Sequence, residues 1–280
     1  MRIFTFKGLF FTAVFMLLGC LSIQAADDDL ITKQITIKLD EAGTLPDRIA
    51  KSKIYKITNL KLVGEINGTD LRMIREMAGR DYSGYFTDGK LSVLDLSEAM
   101  IVEGGLLYYS DYSCYTTNNE IGKFAFKGCS GLTSLTLPAN IKWIGESAFS
   151  GCSGLTSLTL PSNITEIGEW AFSNCGGLAS IYVYAEKVPK MAEDVFKGCD
   201  ATKCILYVPK GTYDDYFISN FGYFENIEEF EVTGIGKPTT STDAKELSRY
   251  SVNGQRLVGP TKGLNIVKYS DGSVKKVVVQ

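Results

Sequence analysis

Apolar residues recur along the middle of the chain with a period of 23 residues. Residues 144–166 repeat residues 121–143 with 17 of 23 positions identical, so the same order of apolar and polar residues returns one copy later. Counted from Leu132 and again from Leu155, the apolar positions of each copy are 1, 4, 6, 10, 13, 17, 18 and 21. Such a period is typical of stacked coils, each of which buries its apolar face only against its neighbours.

Positions 4 and 6 of each copy predict a β-strand. They alternate with polar neighbours, and Pro138 or Pro161 then ends the strand because proline has no N–H to donate. The rest of the copy must turn back with its apolar residues inward. In the two strongest copies, the inward residues are Leu132, Leu135, Leu137, Ile141, Ile144, Ala148, Phe149 and Cys152, and Leu155, Leu158, Leu160, Ile164, Ile167, Ala171, Phe172 and Cys175.

Weaker copies extend the pattern in both directions. A third copy starts at Leu178 with one extra residue, and "CILYVP" (204–209) supplies a further strand. "LSVLDL" and "ITNLKL" keep the strand spacing earlier in the chain but lose the period. The sequence therefore predicts a mainly β, right-handed solenoid whose concave side is a parallel sheet of six strands, roughly 25 Å across. The convex side is expected to be short 3-10 or irregular segments.

The repeat "LxxLxLPxxIxxIGxxAFxxCxx" resembles the BspA-type leucine-rich repeat of surface proteins from anaerobic Gram-negative bacteria. The resemblance covers residues 121–210 well and residues 57–120 more weakly. Residues 206–230 resemble the terminal repeat and cap of such proteins. The resemblance implies a leucine-rich-repeat solenoid and a role in extracellular adhesion or binding, without naming a ligand.

Five segments are predicted along the chain. They are a signal peptide (1–25), an N-terminal α/β cap (26–56), the repeat solenoid with its terminal cap (57–230), a linker rich in Gly, Pro, Ser and Thr (231–245), and a small all-β module (246–280). Before and inside the first coil, we expect a strand near Ile35, a short helix opened by Thr44, and a helix capped by Asp70. The turns Asn253-Gly254 and Asp271-Gly272 predict hairpins in the last module, which resembles secretion or sorting domains.

The N-terminus predicts export. Arg2 and Lys7 precede an apolar run, and Ala25 ends a small-residue cleavage site. Alternatively, Leu17-Leu18-Gly19-Cys20 resembles a lipobox, in which Cys20 would be lipidated. Either route places the protein outside the cytoplasm, secreted or on the outer-membrane surface, and any membrane contact would come through that lipid anchor.

Composition removes several classes of function. The chain of 280 residues contains no histidine, which excludes Ser-His and Cys-His catalysis and HExxH zinc sites. Its net charge is −3, and its Lys and Arg residues form no basic stripe along the sequence. Nucleic acid is therefore not an expected partner. No paired carboxylates recur, and we expect no catalytic residue, metal or cofactor. We expect a monomer.

Four cysteines occupy one repeat position, and two more lie outside it. In an exported protein six cysteines can form three disulfides. However, copies one coil apart would be separated by about 4.8 Å, more than the Cβ separation of a disulfide, and buried thiols are good apolar fillers. The sequence favours free structural thiols, with disulfides as the alternative. The residues concerned are Cys129, Cys152, Cys175 and Cys199, with Cys114 and Cys204 outside the ladder.

The outward strand positions are the candidate ligand-binding surface, since solenoids bind partners on extended faces. The predicted contacts are Asp95, Thr136, Thr159, Tyr182 and Tyr207. Alternatively, the hydroxyl side chains only solvate the sheet and the tyrosines stack for stability. A second candidate is a loop with Tyr108, Tyr109, Tyr112 and Tyr115, which could be an exposed adhesive patch or could fold back onto the convex edge.

Two classes of function remain. The first is a non-enzymatic, adhesin-like binding protein that recognises a host or microbial protein or glycan through the concave face. The second is a structural or accessory envelope protein, a spacer or an aid to glycan uptake, with no ligand on the repeats.

Overall fold

The computed structural model describes residues 30–232, 246–251, 256–257, 262–269 and 274–279. In chain order, its elements are β1 (Ile35–Leu39), α1 (Leu45–Arg48), a 3-10 turn (Lys51–Lys53), β2 (Asn59–Ile66), α2 (Gly68–Met77), β3 (Val93–Ile101), β4 (Gly104–Tyr109), β5 (Cys114–Thr116), β6 (Glu120–Ile121), β7 (Ser134–Thr136), β8 (Trp143–Ile144), β9 (Ser157–Leu160), β10 (Glu166–Ile167), β11 (Ser180–Val183), β12 (Lys190–Met191), β13 (Ile205–Pro209), α3 (Tyr213–Phe217), a second 3-10 turn (Asn220–Tyr223), β14 (Asn226–Phe230), β15 (Glu246–Ser251), β16 (Arg256–Leu257), β17 (Gly263–Tyr269) and β18 (Val274–Val279).

The concave side is one parallel sheet of eight strands in the order β1-β2-β3-β7-β9-β11-β13-β14. The predicted leucine-rich-repeat solenoid is therefore confirmed, but the sheet has two strands more than the expected six. β1 and β14 lie at its two ends and were assigned to the caps because neither follows the repeat pattern. At about 4.8 Å between neighbouring strands, the sheet spans roughly 34 Å.

The convex side is more regular than the sequence indicated. The two-residue strands β6, β8, β10 and β12 form a second parallel sheet. Backbone hydrogen bonds between coils then continue through the turns that follow, as when the N–H of Phe126 donates to the carbonyl of Ala148 (2.6 Å) and that of Phe149 to Ala171 (2.7 Å). The 3-10 turns lie outside these coils, at the two ends of the repeat region. The middle coils are thus hydrogen-bonded to each other on both sides.

Each of these coils turns through two left-handed backbone positions. The first has φ between 54° and 59° and holds Phe124, Ser147, Trp170 and Asp194, although an L side chain is unfavourable there. The second holds Gly128, Gly151, Asn174 and Gly198. Glycine or asparagine at the second position lowers the cost of the turn, and the inter-coil hydrogen bonds compensate for the strain at the first.

A ladder of phenylalanines fills the centre of the solenoid. The rings of Phe126, Phe149, Phe172 and Phe196 stack with centroids 5.3, 5.1 and 5.5 Å apart. Phe149 and Phe172 are fully buried, as predicted from the repeat register. Stacked aromatic pairs add to the hydrophobic free energy that their burial already contributes.

The cysteine ladder consists of free thiols, so the disulfide alternative is wrong for the six cysteines in the described residues. The Sγ of Cys152 donates to the carbonyl of Phe126 (3.1 Å), and that of Cys175 to Phe149 (3.2 Å). Cys199 repeats the contact with Phe172 (3.3 Å). The thiol therefore fills the core and also satisfies a buried carbonyl of the preceding coil.

Helix α2 begins earlier than predicted. Its N-cap is Asn67, and Asp70, which the sequence suggested as the cap, is the third helical residue of a capping box. The Asp70 carboxylate also accepts from the N–H of Gly43 (2.6 Å) and of Leu45 (2.9 Å), and so holds the start of α1 against the helix. Leu71, Ile74 and Met77 form the buried apolar face of α2.

The C-terminal module is an antiparallel sheet in the order β16-β15-β17-β18. β15 pairs with β16, and β17 with β18, across the two predicted hairpin turns. The turn residues themselves, the predicted signal peptide with Cys20, and the linker from residue 233 to 245 lie outside the described residues. No helix in the described part of the chain is long and apolar enough to cross a membrane.

Candidate binding surfaces

The predicted contact residues form one straight row across the concave sheet. Strand pairing places Asp95 beside Thr136, Thr136 beside Thr159, and Thr159 beside Tyr182. Tyr207 follows Tyr182, and Lys61 precedes Asp95. All of them occupy position 5 of a coil, so their side chains leave the same face of the sheet.

An aromatic cluster forms the C-terminal end of this row. The rings of Tyr182 and Tyr207 are stacked, with centroids 4.4 Å apart and planes 7° from parallel. Phe230 lies edge-on to Tyr182 (6.0 Å) and to Tyr184 (5.1 Å). Because Tyr182 and Tyr207 cover each other's faces, a partner would meet ring edges and hydroxyl groups.

The Tyr207 hydroxyl keeps its proton. Burial raises its pKa, and the negative charge of Glu228 raises it further. A protonated hydroxyl both donates and accepts hydrogen bonds. The aromatic end of the row is therefore suited to a partner with polar groups as well as apolar surface.

The opposite end of the row is occupied by an ion-pair network. Lys61 Nζ lies 3.2 Å from Asp95 Oδ2 and 2.7 Å from Glu98 Oε1. Asp95 also accepts from the N–H of Ser97 (2.9 Å). Burial alone would raise the pKa of Asp95, but the hydrogen bonds from Ser97 and Lys61 outweigh it and lower the pKa. Asp95, predicted as a contact, thus has partners within the protein.

The side chains in the middle of the row are polar and short. Thr136 is exposed and Thr159 is half-buried, while the hydroxyl of Ser180 donates to that of Ser157 (3.0 Å) on the neighbouring strand. These short hydroxyl side chains leave room above the sheet between the charged end and the aromatic end. A ligand that contacts the tyrosines could extend over them.

The tyrosine loop is a hairpin of β4 and β5 whose tyrosines divide between core and surface. Tyr108 and Tyr109 are buried, whereas Tyr112 and Tyr115 are 67% and 54% exposed. Two of the four tyrosines therefore fold back into the core and two are exposed, and whether the exposed pair is adhesive stays a prediction. Tyr112 stacks on Phe124 with centroids 4.6 Å apart.

A neighbouring loop adds aromatic side chains that the sequence did not indicate. Tyr85 and Phe86 are 73% and 79% exposed, and the Arg80 guanidinium lies 3.6 Å from the centroid of the Phe86 ring. We call Tyr85, Phe86, Tyr112 and Tyr115 the insertion patch, because both loops interrupt the repeat. The loops touch where the N–H of Ser110 donates to the carbonyl of Tyr82 (2.8 Å). No periodic signal marks these residues, so only their aromatic composition could have identified them.

The buried thiols are poor nucleophiles. Burial raises the pKa of Cys129 and Cys199 to about 11 and that of Cys175 and Cys204 to about 12, and the thiolate is the reactive form. Within the described residues, no group of three or more Cys, Asp or Glu side chains could hold a metal ion. The surfaces described above are suited to recognition.

Comparisons with known proteins address the repeats. Among solved structures, a leucine-rich repeat protein from Bacteroides ovatus ATCC 8483 is similar at 23% sequence identity, over 70% of this chain and 42% of that chain, with a TM-score of 0.36. This chain thus spans less than half of the length of that protein. The comparison with curated proteins found no match. A family model described as the BspA type leucine rich repeat region matches residues 110–234 in six copies. Residues 110–234 are therefore a BspA-type leucine-rich repeat region.

Proposed function

We propose that this is a non-enzymatic, extracytoplasmic binding protein that recognises a host or microbial protein or glycan through its concave face. The binding surface centres on Thr159, Tyr182 and Tyr207 and extends over Thr136 toward Asp95. The observation that carries the proposal is the in-register row of position-5 side chains, which ends in two half-buried, stacked tyrosines.

The positions of this row are free to differ between coils. The inward side chains on the same strands are committed to the core, as the burial of Leu158, Ile181 and Leu206 shows. Position 5 instead changes from Thr to Tyr along the stack without altering that packing. Tyrosine is enriched at protein interfaces, where it supplies rigid contact area and a polar tip.

The competing role is a spacer or an accessory to glycan uptake, with tyrosines that stack only for stability. Stacked aromatic pairs do stabilise neighbouring strands. The two roles differ in what happens when the pair is removed: a ligand surface loses affinity, whereas a stability element lowers the melting temperature.

A binding screen of the mature chain against matrix proteins and glycans provides the ligand for this test. Tyr182→Ala combined with Tyr207→Ala should weaken that ligand at least tenfold, about 1.4 kcal/mol, and leave the melting temperature nearly unchanged. The matched control replaces Thr133 and Thr156, exposed residues outside the row, with Ala and should keep full affinity.

Replacing both tyrosines with Phe distinguishes the contribution of the hydroxyl groups to affinity from that of the rings, because Phe keeps the stacked rings and lacks the hydroxyl group. Unchanged affinity in the double alanine variant would contradict the proposed surface. In that case, Tyr85→Ala with Tyr112→Ala in the insertion patch is the next variant to measure, followed by deletion of the C-terminal module.

The proposed location has its own test. Mass measurement of the mature N-terminus should find either Ala26, after cleavage at Ala25, or an acylated Cys20. A chain that still begins at Met1 in its native host would contradict both routes and the extracytoplasmic location.

A further inference from the structure

The convex hydrogen-bond ladder uses three donors from each coil. The backbone N–H groups at alternate residues donate to carbonyls at alternate residues of the next coil. The donor sets are Phe124, Phe126 and Gly128; Ser147, Phe149 and Gly151; and Trp170, Phe172 and Asn174. At the last of these junctions the acceptors are Glu193, Val195 and Lys197, at N–O distances of 3.4, 2.9 and 2.7 Å.

The next donor set has no acceptor. By the same spacing, it comprises the N–H groups of Asp194, Phe196 and Gly198, and none of these donates to another group within the described part of the chain. Asp194 and Phe196 line a groove of about 410 Å³, which is formed by Met191–Lys197 together with Asn220 and Tyr223, and Gly198 directly follows its last lining residue in this segment. This volume falls in the range of roughly 300–1,000 Å³ that is usual for ligand sites.

The terminal cap closes the apolar core next to this groove but not the backbone edge. Phe224 and Phe221 pack against Phe196, with ring centroids 5.0 and 6.0 Å away. Asn220 Nδ2 donates to the carbonyl of Met191 (3.2 Å) and the Tyr223 hydroxyl to that of Cys199 (2.8 Å). Both cap side chains thus satisfy carbonyls, and the N–H row stays open.

A second copy of this chain cannot supply all of the missing carbonyls by stacking its first convex coil (residues 120–128) on the groove. Two of the three carbonyls that would face the groove, those of Lys123 and Ala125, already accept hydrogen bonds at the opposite end of the ladder. The Tyr108 hydroxyl donates to Lys123 O (3.0 Å) and Arg75 Nη1 to Ala125 O (2.8 Å). The occupant must be a segment whose backbone carbonyls are free.

We propose that this groove, the terminal groove, binds a peptide segment of another protein through three backbone carbonyls spaced two residues apart. The peptide continues the ladder in the place of a further coil, which is the edge-addition mode of peptide recognition. The residues at the centre of the acceptor triplet in the existing junctions are Ala148, Ala171 and Val195, all buried. The outer acceptors, two positions to either side, are polar: Glu146 and Ser150, Glu169 and Ser173, and Glu193 and Lys197. A small apolar residue with polar residues two positions before and after it is therefore the expected core of the peptide motif. This site is independent of the concave face.

The direct test is an NMR titration of the mature chain with a synthetic peptide that carries residues 168–174, "GEWAFSN", which include one natural acceptor triplet. The amide resonances of Asp194, Phe196 and Gly198 should shift, and their hydrogen exchange should slow at least fivefold. The matched controls are the amides of Trp170, Phe172 and Asn174, which are already bonded and should not change. Unmoved Asp194, Phe196 and Gly198 amides at millimolar peptide would overturn the proposal.

Two variants keep the result specific. Asn220→Trp places a bulky ring in the groove and should weaken the peptide at least tenfold, whereas Ser153→Trp on another coil should not. A peptide with tryptophan in place of its central alanine should also bind at least tenfold more weakly, and this comparison uses the unmodified protein. Equal affinities of the alanine and tryptophan peptides would show that the groove does not distinguish the central residue of the acceptor segment, and would contradict the proposed motif.

Discussion

The periodic coils between residues 121 and 199 and the irregular coils before them stabilise one continuous core in different ways. In the periodic coils a residue contacts its own copy: Phe149 stacks on Phe172 (5.1 Å), and the hydroxyl of Ser173 donates to that of Ser150 (2.9 Å). In the N-terminal coils the contacts join unlike residues, such as Arg75 with the carbonyls of Phe124 and Ala125 (2.8 Å each).

The difference reflects where each coil finds its hydrogen-bond partners. The carbonyls of a coil inside the stack accept hydrogen bonds from N–H groups of the neighbouring coil. The same residue types can therefore recur at every junction between coils. The first convex coil has no such neighbour, and its carbonyls receive the Arg75 guanidinium and the Tyr108 hydroxyl instead. Unpaired buried carbonyls are costly. The end of a repeat array therefore requires side chains that the repeat itself does not contain.

The largest expected effect tests the periodic side of this comparison. Phe149→Ala, or Phe172→Ala, removes a fully buried ring from the ladder and should lower the free energy of unfolding by about 3–5 kcal/mol. Urea unfolding measures this change. Ile218→Ala, at a side chain that is 79% exposed, is the control and should change stability by less than about 0.5 kcal/mol. Wild-type stability of both ladder variants would contradict the stacked core.

The next effect tests the irregular side. Arg75→Met keeps an apolar side chain of similar length. It leaves the carbonyl of Ala125 without a donor and that of Phe124 with only the N–H of Lys127. It should lower the free energy of unfolding by about 2–4 kcal/mol, since buried groups that lose a charged partner remain unsatisfied. The control Arg72→Met removes a guanidinium that lies 3.7 Å from the Tyr82 ring centroid and should cost about 0.5–1 kcal/mol. Equal effects of the two variants would mean that Arg75 does not cap the ladder.

The thiol ladder predicts a loss of stability in alkali. Burial raises the pKa of Cys129 from 9.0 to about 11, so the unfolded chain loses this proton at lower pH than the folded chain. The contribution of the thiol to stability is therefore complete below about pH 9 and is lost as the pH rises toward about 11, by about 1.4 kcal/mol per pH unit.

Thermal melts of the wild type and of Cys129→Ala between pH 8 and 11 measure this contribution. The stability of the variant should fall less steeply with rising pH, and the difference in slope should correspond to the release of about one proton. Without reductant, the buried ladder thiols should be labelled only after unfolding, whereas Cys114 is only partly buried and does not belong to this test. Rapid labelling of the folded chain at Cys129 would contradict the buried ladder.

The smallest expected loss of stability comes from removing a single hydroxyl group in the irregular coils. Tyr108→Phe preserves the buried ring but removes the hydrogen bond to Lys123 O, and should cost about 1 kcal/mol. Tyr112→Phe, on the exposed side of the same hairpin, is the matched control and should leave the melting temperature unchanged. A greater loss from Tyr112→Phe would reverse the assignment of core and surface within the hairpin.

The accuracy of the sequence-based expectations follows the same division. In the periodic coils the inward residues, the free thiols and the row of concave side chains were all predicted, because strand alternation and the 23-residue period each specify which side of the chain a residue occupies. At the ends the expectations were less complete. β1 and β14 were not counted in the sheet, and Asp70 was taken for the helix cap in place of Asn67.

Asp95 illustrates a limit within the periodic row itself. Its position on the concave face was predicted, but its partner Lys61 is 34 residues away and belongs to a coil without the period. Only strand pairing brings the two side chains within 3.2 Å. The tyrosine hairpin shows the same limit, since its sequence does not distinguish the buried Tyr108 and Tyr109 from the exposed Tyr112 and Tyr115.

Repetition in the sequence was thus sufficient to establish the solenoid, its core and the outward row of the concave sheet, because the core contacts of the periodic coils are copies of contacts one period away. The folded chain was needed to show how the ladder ends. Arg75 lies 50 residues from the carbonyl of Ala125 that it satisfies. The N–H row at Asp194, Phe196 and Gly198 is open because no further convex coil follows it within the described residues. Such contacts depend on which segments meet in space, and no local period records that.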